Sequence, residues 1–495
     1  MNRRGFLVAA AGTLAAACSD RPPTTAPPAR TTPPAASPSR TGPADWNALA
    51  KGLEGRLIRP GDADYGAARR LHIPRFDRIR PAGIAYCGNE QDVAECLTFA
   101  ARQGLPVAVR SGGHNYAGWS TGTGLVVDVS PLDRVEVERG RAVVGTGTRL
   151  IDLYDRLAAA KALVPAGTCP TVGIGGLTLG GGIGPLTRAY GLTCDVLESV
   201  RIVTPDGRIR ECDARREPDL FWACRGGGGG NFGVATSFAF RTHGAEDLTE
   251  FTVRWPWSRA ADAVRGWQEW APAAPEGIWS SLQIESDPAS LSITGFALDD
   301  PDAELDRFTG RVGGSPDVTT RRLSYLAAMK LTAGCSGRSV GQCHTGGDLP
   351  GQRPEGNYPR TEYTAKSHVA HRPLPPDAVD ALVDRFSGGG RPGRSVLMDA
   401  FGGAMRRTRP GDTAFPHREA LFCVQYLADT GDRDWLRGTH DAVGRRLPGA
   451  GAYVNYIDPE LTDWRRAYYG ANLDRLTRIR ATYDPNRLLR FPQAL

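Results

Sequence analysis

Along this chain the spacing of apolar residues switches between a helical and a strand period, and the switches mark the elements. Val93, Cys96, Leu97 and Ala100 fall on one face of a helix expected over 91–103, and Gly104 supplies its stop. Val107-Ala108-Val109 then reads as a strand, as do Leu125-Val126-Val127-Asp128-Val129 and Ala142-Val143-Val144, with a polar hairpin around Glu138 to Arg141. Leu150, Leu153, Tyr154 and Leu157 share a face of a second helix, expected over 150–163. A hairpin is predicted from Val200 to Ile209 around Pro205-Asp206-Gly207, and a strand from Val234 to Phe240. Beyond about His243, alternation over 251–257 and 291–296 predicts strands, with helices near 260–270 and 303–312. Two further helices are expected over 461–469 and 473–483.

This pattern divides the chain. Residues 1–18 carry Arg3 and Arg4, a short apolar run and then Cys18, which together resemble a twin-arginine export signal. Ala15-Ala16-Ala17 before Cys18 resembles a lipoprotein cleavage site, although Leu14 lies one position further from the cysteine than usual. Lipid attachment at Cys18 is the expectation and plain secretion the alternative, so any membrane association runs through that anchor. Residues 19–45 are rich in Pro, Thr and Ser and too poor in large apolar residues to fold, which makes them a tether. The remainder is expected as a glycine-dense domain over 46–245, an α+β domain over 246–450 built on an antiparallel sheet with helices, and a segment over 451–495 returning to the first domain.

Composition changes this picture little. The 495 residues are 41% hydrophobic and 23% charged, an ordinary globular balance. A net charge of +6, with basic residues scattered, does not indicate a nucleic-acid partner. Of the ten cysteines, Cys335 and Cys343 sit eight apart in a Gly/Ser-rich loop, spaced for a local disulfide if the protein leaves the cytoplasm. Cys87, Cys96, Cys194, Cys212 and Cys224 read as buried small apolar residues.

Candidate chemistry concentrates between Arg110 and Gly233. His114 stands in Arg110-Ser111-Gly112-Gly113-His114-Asn115-Tyr116 and Cys169 in Gly167-Thr168-Cys169-Pro170-Thr171-Val172-Gly173, followed by Gly175, Gly176, Gly180, Gly181, Gly182 and Gly184. Glycine at that density lets backbone approach a ligand, and bare N–H groups at turns suit an anionic cofactor. No Gly-x-x-x-x-Gly-Lys run occurs, which excludes a P-loop. Gly228-x-Gly230-x-x-Gly233 matches a dinucleotide fingerprint but leads into a strand instead of a helix, so a Rossmann fold is rejected. Neither His114 nor Cys169 has metal-ligand spacing around it. A cysteine nucleophile with His114 as base remains open, and the residues themselves reach no further than a cofactor or anion site.

These motifs, together with Arg188-x-Tyr190-Gly191-Leu192, Asp219-Leu220-Phe221-Trp222 and Tyr453-Val454-Asn455-Tyr456, resemble the berberine bridge enzyme-like flavoproteins of the vanillyl-alcohol oxidase and p-cresol methylhydroxylase superfamily, over about residues 70 to 495. The resemblance implies a two-subdomain FAD-binding domain of the p-cresol methylhydroxylase type and an FAD bonded covalently to His114 and Cys169. It further implies cofactor contacts from Arg110, Ser111, Gly112, Gly113, Asn115, Ser120, Val172, Gly173, Gly175, Gly176, Gly180, Gly181, Gly184, Ile202, Tyr453 and Asn455. Tyr456 is the implied base. Ile183 and Cys423 stand where many plant relatives carry Tyr and Lys, so activation of Tyr456 is expected from Gln425 or His417. The implied function is an exported oxidase of a hydroxyl group on a sugar, oligosaccharide or natural product, with oxygen as acceptor because Val172 is compact. A dehydrogenase using another acceptor and a non-catalytic ligand-binding lipoprotein are the alternatives.

Overall fold

The computed structural model describes residues 44–388 and 391–495; the export signal, Cys18 and nearly all of the tether lie outside them. The glycine-dense half is organised by two sheets. In the first, strands Gly83–Tyr86 and Val107–Arg110 both run parallel to Leu125–Asp128, and helix Glu90–Gln103 is the crossover between the first two. That helix starts where the Asn89 side chain accepts from Asp92 N at 2.9 Å, and it ends at Gly104, whose φ of 62° is the left-handed conformation. Its buried residues include Val93, Cys96, Leu97 and Ala100, the face expected from their spacing. The carboxyl end of Val107–Arg110 runs directly into the His114 loop, which places that loop at the end of a parallel sheet where ligands bind.

The second sheet is antiparallel, in the order Val135–Glu138, Arg141–Gly145, Val234–Arg241, Leu197–Val203, Ile209–Asp213. Val234–Arg241 sits at its centre, so the glycine run before it opens onto a strand, as the rejection of a Rossmann unit requires. Helix Leu150–Ala159 is shorter than its apolar face suggested. Lys161 adopts φ 53°, and Ala162–Leu163 leaves the helix to pair with His243–Gly244.

The other half is a seven-stranded antiparallel sheet in the order Asp317–Leu323, Leu248–Arg254, Ala289–Ala297, Ile278–Ser286, Ser395–Ala400, Phe422–Ala428, Thr364–Ala370. Its two faces differ. Leu282, Ile284, Ile293, Val396, Met398 and Val424 are buried in a core shared with helices Ala260–Trp270, Asp302–Val312, Pro376–Ser387 and Arg433–Gly444. Residues one position along point the other way, because side chains alternate across a strand. The two halves are stitched by buried arginines. Arg188 donates to Ile278 O at 2.6 Å and to Pro272 O at 3.1 Å, and Arg418 forks onto Asp195 at 2.6 and 2.7 Å.

The C-terminal segment returns as expected: Leu476, Ile479 and Leu495 share one apolar cluster with Val200 and Phe238. Its first helix begins only at Trp464, since Asp458 accepts from Glu460 N at 2.9 Å and holds the chain in a turn that competes with helix. Cys335 and Cys343 are disulfide-bonded with Cα atoms 5.9 Å apart, and the five cysteines read as apolar are all buried.

Candidate active site

A cavity of about 410 Å³ lies between the two halves and the C-terminal segment. Ser111, Gly112, Gly113, His114, Asn115 and Ser120 line it from the loop after the parallel strands. Cys169, Val172, Gly173, Gly175 and Gly176 line it from the next loop, and Gln425, Tyr453, Asn455 and Tyr456 from the far side. The stretch between the two anchor loops, residues 117–166, folds so that one backbone locks onto the other. A Cβ on Gly112 would collide with Gly173 N, and the Ser111 hydroxyl donates to Thr146 O at 2.7 Å. At Gly176, by contrast, a Cβ would meet nothing within 4 Å, so the chain presents bare backbone to open space.

His114 Nε2 is 2.8 Å from Thr171 Oγ1, and its ring stacks on His72 with centroids 3.9 Å apart. Burial, then the neighbouring His72 and Arg149, holds the imidazole well below its usual pKa, hence neutral, and its Nδ1 makes no hydrogen bond among the described residues. Cys169 keeps accessible surface, yet that surface faces the cavity and not bulk water, and this burial pushes its thiol up.

The opposite wall is aromatic. Tyr456 stacks on Tyr116 with centroids 5.5 Å apart and planes within 5°, and Tyr453 meets it edge-on at 4.9 Å. Tyr363 meets Tyr116 edge-on at 5.3 Å. Burial, then the negative field of Asp399, raises the Tyr456 phenol well above its ordinary pKa. Asp399 is itself pushed up to about 6 by burial. Strand register explains how it gets there: Asp399 pairs with Ser281 and Cys423, and Leu397 with Gln283 and Gln425, so these side chains share the face turned away from the helices.

Six expected site residues lie elsewhere. Arg110 turns from the cavity to pair with Asp128 and is 4% exposed. Ile202 is a core residue of its strand, packed where Gly233 leaves room. Gly180, Gly181 and Gly184 serve packing: a Cβ on them would strike Asn455 Oδ1, Phe415 and Ala166 O respectively. Gly180 thereby seats Asn455, whose Nδ2 donates to Leu177 O at 3.0 Å and to Tyr453 Oη at 2.9 Å. His417 is buried outside the cavity, donates from Nε2 to Ala452 O at 3.1 Å, and is held neutral by burial with its pKa lowered to about 3. Gln425 does reach the cavity, but its Nε2 donates to Tyr116 Oη at 2.7 Å and not to Tyr456.

Other lining residues were not anticipated. Gly228 and Gly230, with φ of 85° and 75°, belong to the glycine run discarded with the Rossmann reading, although the run itself was the visible signal. Tyr363 stands in no motif, and Tyr116 closes the His114 motif without having been given a role; Asp399, also in no motif, acts from behind the lining through its field on Tyr456.

A family model described as an FAD binding domain matches residues 81–213, and one described as berberine and berberine-like matches residues 452–495. An uncharacterized FAD-linked oxidoreductase of Bacillus subtilis is 30% identical over 90% of this chain and 97% of its own length. The chain belongs to the berberine bridge enzyme-like FAD-linked oxidoreductases. Among solved structures, a xylooligosaccharide oxidase from Myceliophthora thermophila in complex with xylobiose superposes with a TM-score of 0.81 at 26% identity, covering 90% of this chain and 98% of that one. A glucooligosaccharide oxidase from Acremonium strictum, described by its 6-S-cysteinyl, 8α-N1-histidyl FAD, superposes at 0.78 with 25% identity, covering 89% and 97%. The fold is thus the two-subdomain FAD-binding type joined to an α+β half, as the berberine bridge enzyme-like motifs implied.

The cavity fits FAD on its own terms. Gly176 turns bare backbone to open space, and Gly229 lies beside it, where a Cβ would stand 3.9 Å from Gly176 Cα, so backbone without side chains lines this part of the cavity, as a pyrophosphate needs. Thr121 Oγ1 and Gln493 Oε1, both on lining residues, are buried without a partner and await a polar ligand.

Proposed function

We propose that this berberine bridge enzyme-like protein is an exported oxidase of a sugar or oligosaccharide hydroxyl, with FAD bonded to His114 and Cys169. The observation that carries the reading is the placement of Tyr456 across the cavity from His114 and Cys169, in the negative field of Asp399 on a polar sheet face. Ser281, Gln283, Ser292 and Thr294 are half-buried on that face, cross-strand from one another and from Asp399. These hydroxyl and amide groups share their sheet face with Gln425, which bonds Tyr116, and the combination suits a carbohydrate, which offers many hydroxyls and apolar C–H faces at once. The xylobiose complex of the neighbouring oxidase supports the same class.

His114 and Cys169 would hold the cofactor, His114 through the Nδ1 that its contact with Thr171 leaves free. When bound, FAD would supply the hydride acceptor, with oxygen as the proposed final acceptor and hydrogen peroxide as its product. Tyr456 takes the proton from the substrate hydroxyl at its Oη. Among the described residues no cation offsets the burial of this phenol, so a free phenolate is disfavoured, and the phenol proton must have somewhere to go. Asp399, ionised above about pH 6, is the sink that draws it. Gln425 positions Tyr116, which in turn holds the Tyr456 ring flat against its own.

Export rests on Arg3, Arg4 and the apolar run that follows, and the Cys335–Cys343 disulfide suits an oxidising compartment. Replacing both arginines by Lys should trap the precursor inside the cell, and Cys18→Ser should release the protein from the membrane fraction. The functional reading is tested by anaerobic bleaching of the flavin with xylo-, cello- and chito-oligosaccharides against aromatic and terpenoid alcohols. Bleaching by a saccharide followed by peroxide on admitting air is the expected result. Bleaching without air reoxidation would move the assignment to a dehydrogenase.

A further inference from the structure

Behind the His114 loop lies a second cavity of about 310 Å³, between the first sheet and the glycine-rich loop 345–352. It shares Ser111, Gly112 and His114 with the cofactor cavity and is otherwise separate from it. Arg56, Arg70, Arg110, Arg149 and Arg360 line it, against the carboxylates of Asp64, Asp128 and Asp348. Arg56 is neutralised by Asp64 at 2.5 Å, Arg110 by Asp128, and Arg360 by Asp77 at 2.5 Å. Arg149 meets only neutral oxygens, Gly147 O at 2.8 Å, Ser130 Oγ at 3.0 Å and Ser111 O at 3.2 Å. Arg70 likewise has no ion pair among the described residues, and Asp348, the lining carboxylate without an ion pair among them, offsets only one of these two cations, so the wall keeps a net positive charge.

Arg110 decides what that charge is for. Its Nε is engaged by Asp128 and the Tyr86 ring lies 5.9 Å from its guanidinium carbon, but Nη1 and Nη2 are buried with no hydrogen-bond partner among the described residues, on a side chain that is 4% exposed. A charged donor pair left unmatched in the interior is costly unless something occupies the space in front of it. The outer edge of a guanidinium presents two parallel N–H bonds, the match for two oxygens of one anion. The neighbouring loop has been shaped around these arginines, since a Cβ on Gly351, at φ 81°, would strike the Arg149 guanidinium. Inserting a side chain there would push Arg149 out of the wall.

We propose that this cavity binds a small oxyanion, a phosphate or a small carboxylate, gripped by the Nη1 and Nη2 fork of Arg110 with Arg149 and Arg70 supplying the unbalanced charge. The site touches the cofactor anchor, because His114 lines both cavities, and His72, which lines this one, stacks on His114 at 3.9 Å. It is separate from the pyrophosphate cradle at Gly176 and Gly229, which lies in the other cavity.

The test uses the full, flavin-loaded chain, so that the pyrophosphate cradle is already filled. Inorganic phosphate and, in a second arm, malonate are titrated by calorimetry in chloride buffer at constant ionic strength, with the thermal midpoint followed in parallel. One saturable site per chain, with Kd on the order of millimolar or tighter and a rising midpoint, is expected from at least one arm. The tighter arm identifies the ligand as phosphate-like or carboxylate-like. Arg110→Lys keeps a cation beside Asp128 but removes the fork, and should weaken binding about tenfold or more. Arg70→Ser, at an exposed position that cannot compromise folding, should weaken it about threefold through charge alone. Absence of saturable binding in both arms overturns the proposal, as does wild-type affinity in Arg70→Ser together with wild-type affinity in Arg110→Lys.

Discussion

The wall of the cofactor cavity that carries His114 and Cys169 is made largely of backbone, whereas the wall that carries Tyr456 is made of side chains. On the first, Gly112 and Gly173 lock two loops together main chain to main chain, and Gly176 leaves open space where a side chain would stand. On the second, Tyr116, Tyr363, Gln425 and Tyr456 come from four separate stretches and hold one another by stacking and a single 2.7 Å hydrogen bond. The backbone wall fixes where a cofactor sits and tolerates little change. The side-chain wall sets protonation and substrate fit, and it can be altered without dismantling the cavity.

The contrast is broken most severely by removing both anchors. His114→Ala with Cys169→Ala should release all flavin on acid precipitation and abolish turnover, while each single variant keeps colour in the pellet. An unaltered absorption spectrum in Cys169→Ala would disprove the bond to that sulfur. Tyr456→Phe should lower the rate of anaerobic flavin bleaching by about 10²- to 10⁴-fold, the usual worth of a positioned acid or base, yet leave the protein folded and coloured, because Phe preserves the stack on Tyr116.

A finer cut is Asp399→Asn. Burial raises this carboxyl, so its base form is lost as pH falls through about 6, and turnover of the wild type should decline on that acid limb. The Asn variant should be slower by roughly tenfold to a hundredfold above pH 7 and should lose the limb. A retained limb near pH 6 would place the titrating group elsewhere. The smallest effect is expected at Val172, a half-buried residue of the backbone wall. Val172→Ile adds one methylene and should slow air reoxidation of the reduced enzyme severalfold, by closing a small void, with anaerobic reduction nearly unchanged. If reoxidation is instead unaffected and only about 1 kcal/mol of stability is lost, Val172 is a packing residue alone.

His114, Cys169 and most of the glycines were visible in the chain because a backbone-lined site is written locally: each loop carries its own glycines, and the strands delivering it show their period. The elements around them were legible for the same reason, as the helix Glu90–Gln103 and the hairpin Leu197–Val203 with Ile209–Asp213 show. Local motif reading overreached at Gly180, Gly181 and Gly184, where glycine serves close packing, and at Arg110 and Ile202, which neighbour the site in sequence but turn away from it. Chain patterning by itself marked the glycine-built half and the two loops as a cofactor or anion site, and the family resemblance of their motifs gave His114 and Cys169 the role of anchors.

What only the tertiary structure decided is the chemistry opposite them. His417 was a reasonable partner for Tyr456 by composition, and the fold spends it on Ala452 O instead. Asp399 has no motif; it faces the site because alternation along Ser395–Ala400 turns it away from the helices, and register sets it opposite Cys423, two residues from Gln425. A sequence reveals which residues share a strand face but not which face meets a cavity, since that depends on how sheets 100 or more residues apart pack. The same limit hid the second cavity, whose arginines are spread from Arg56 to Arg360 and gain meaning only where Nη1 and Nη2 of Arg110 are left without a partner among the described residues.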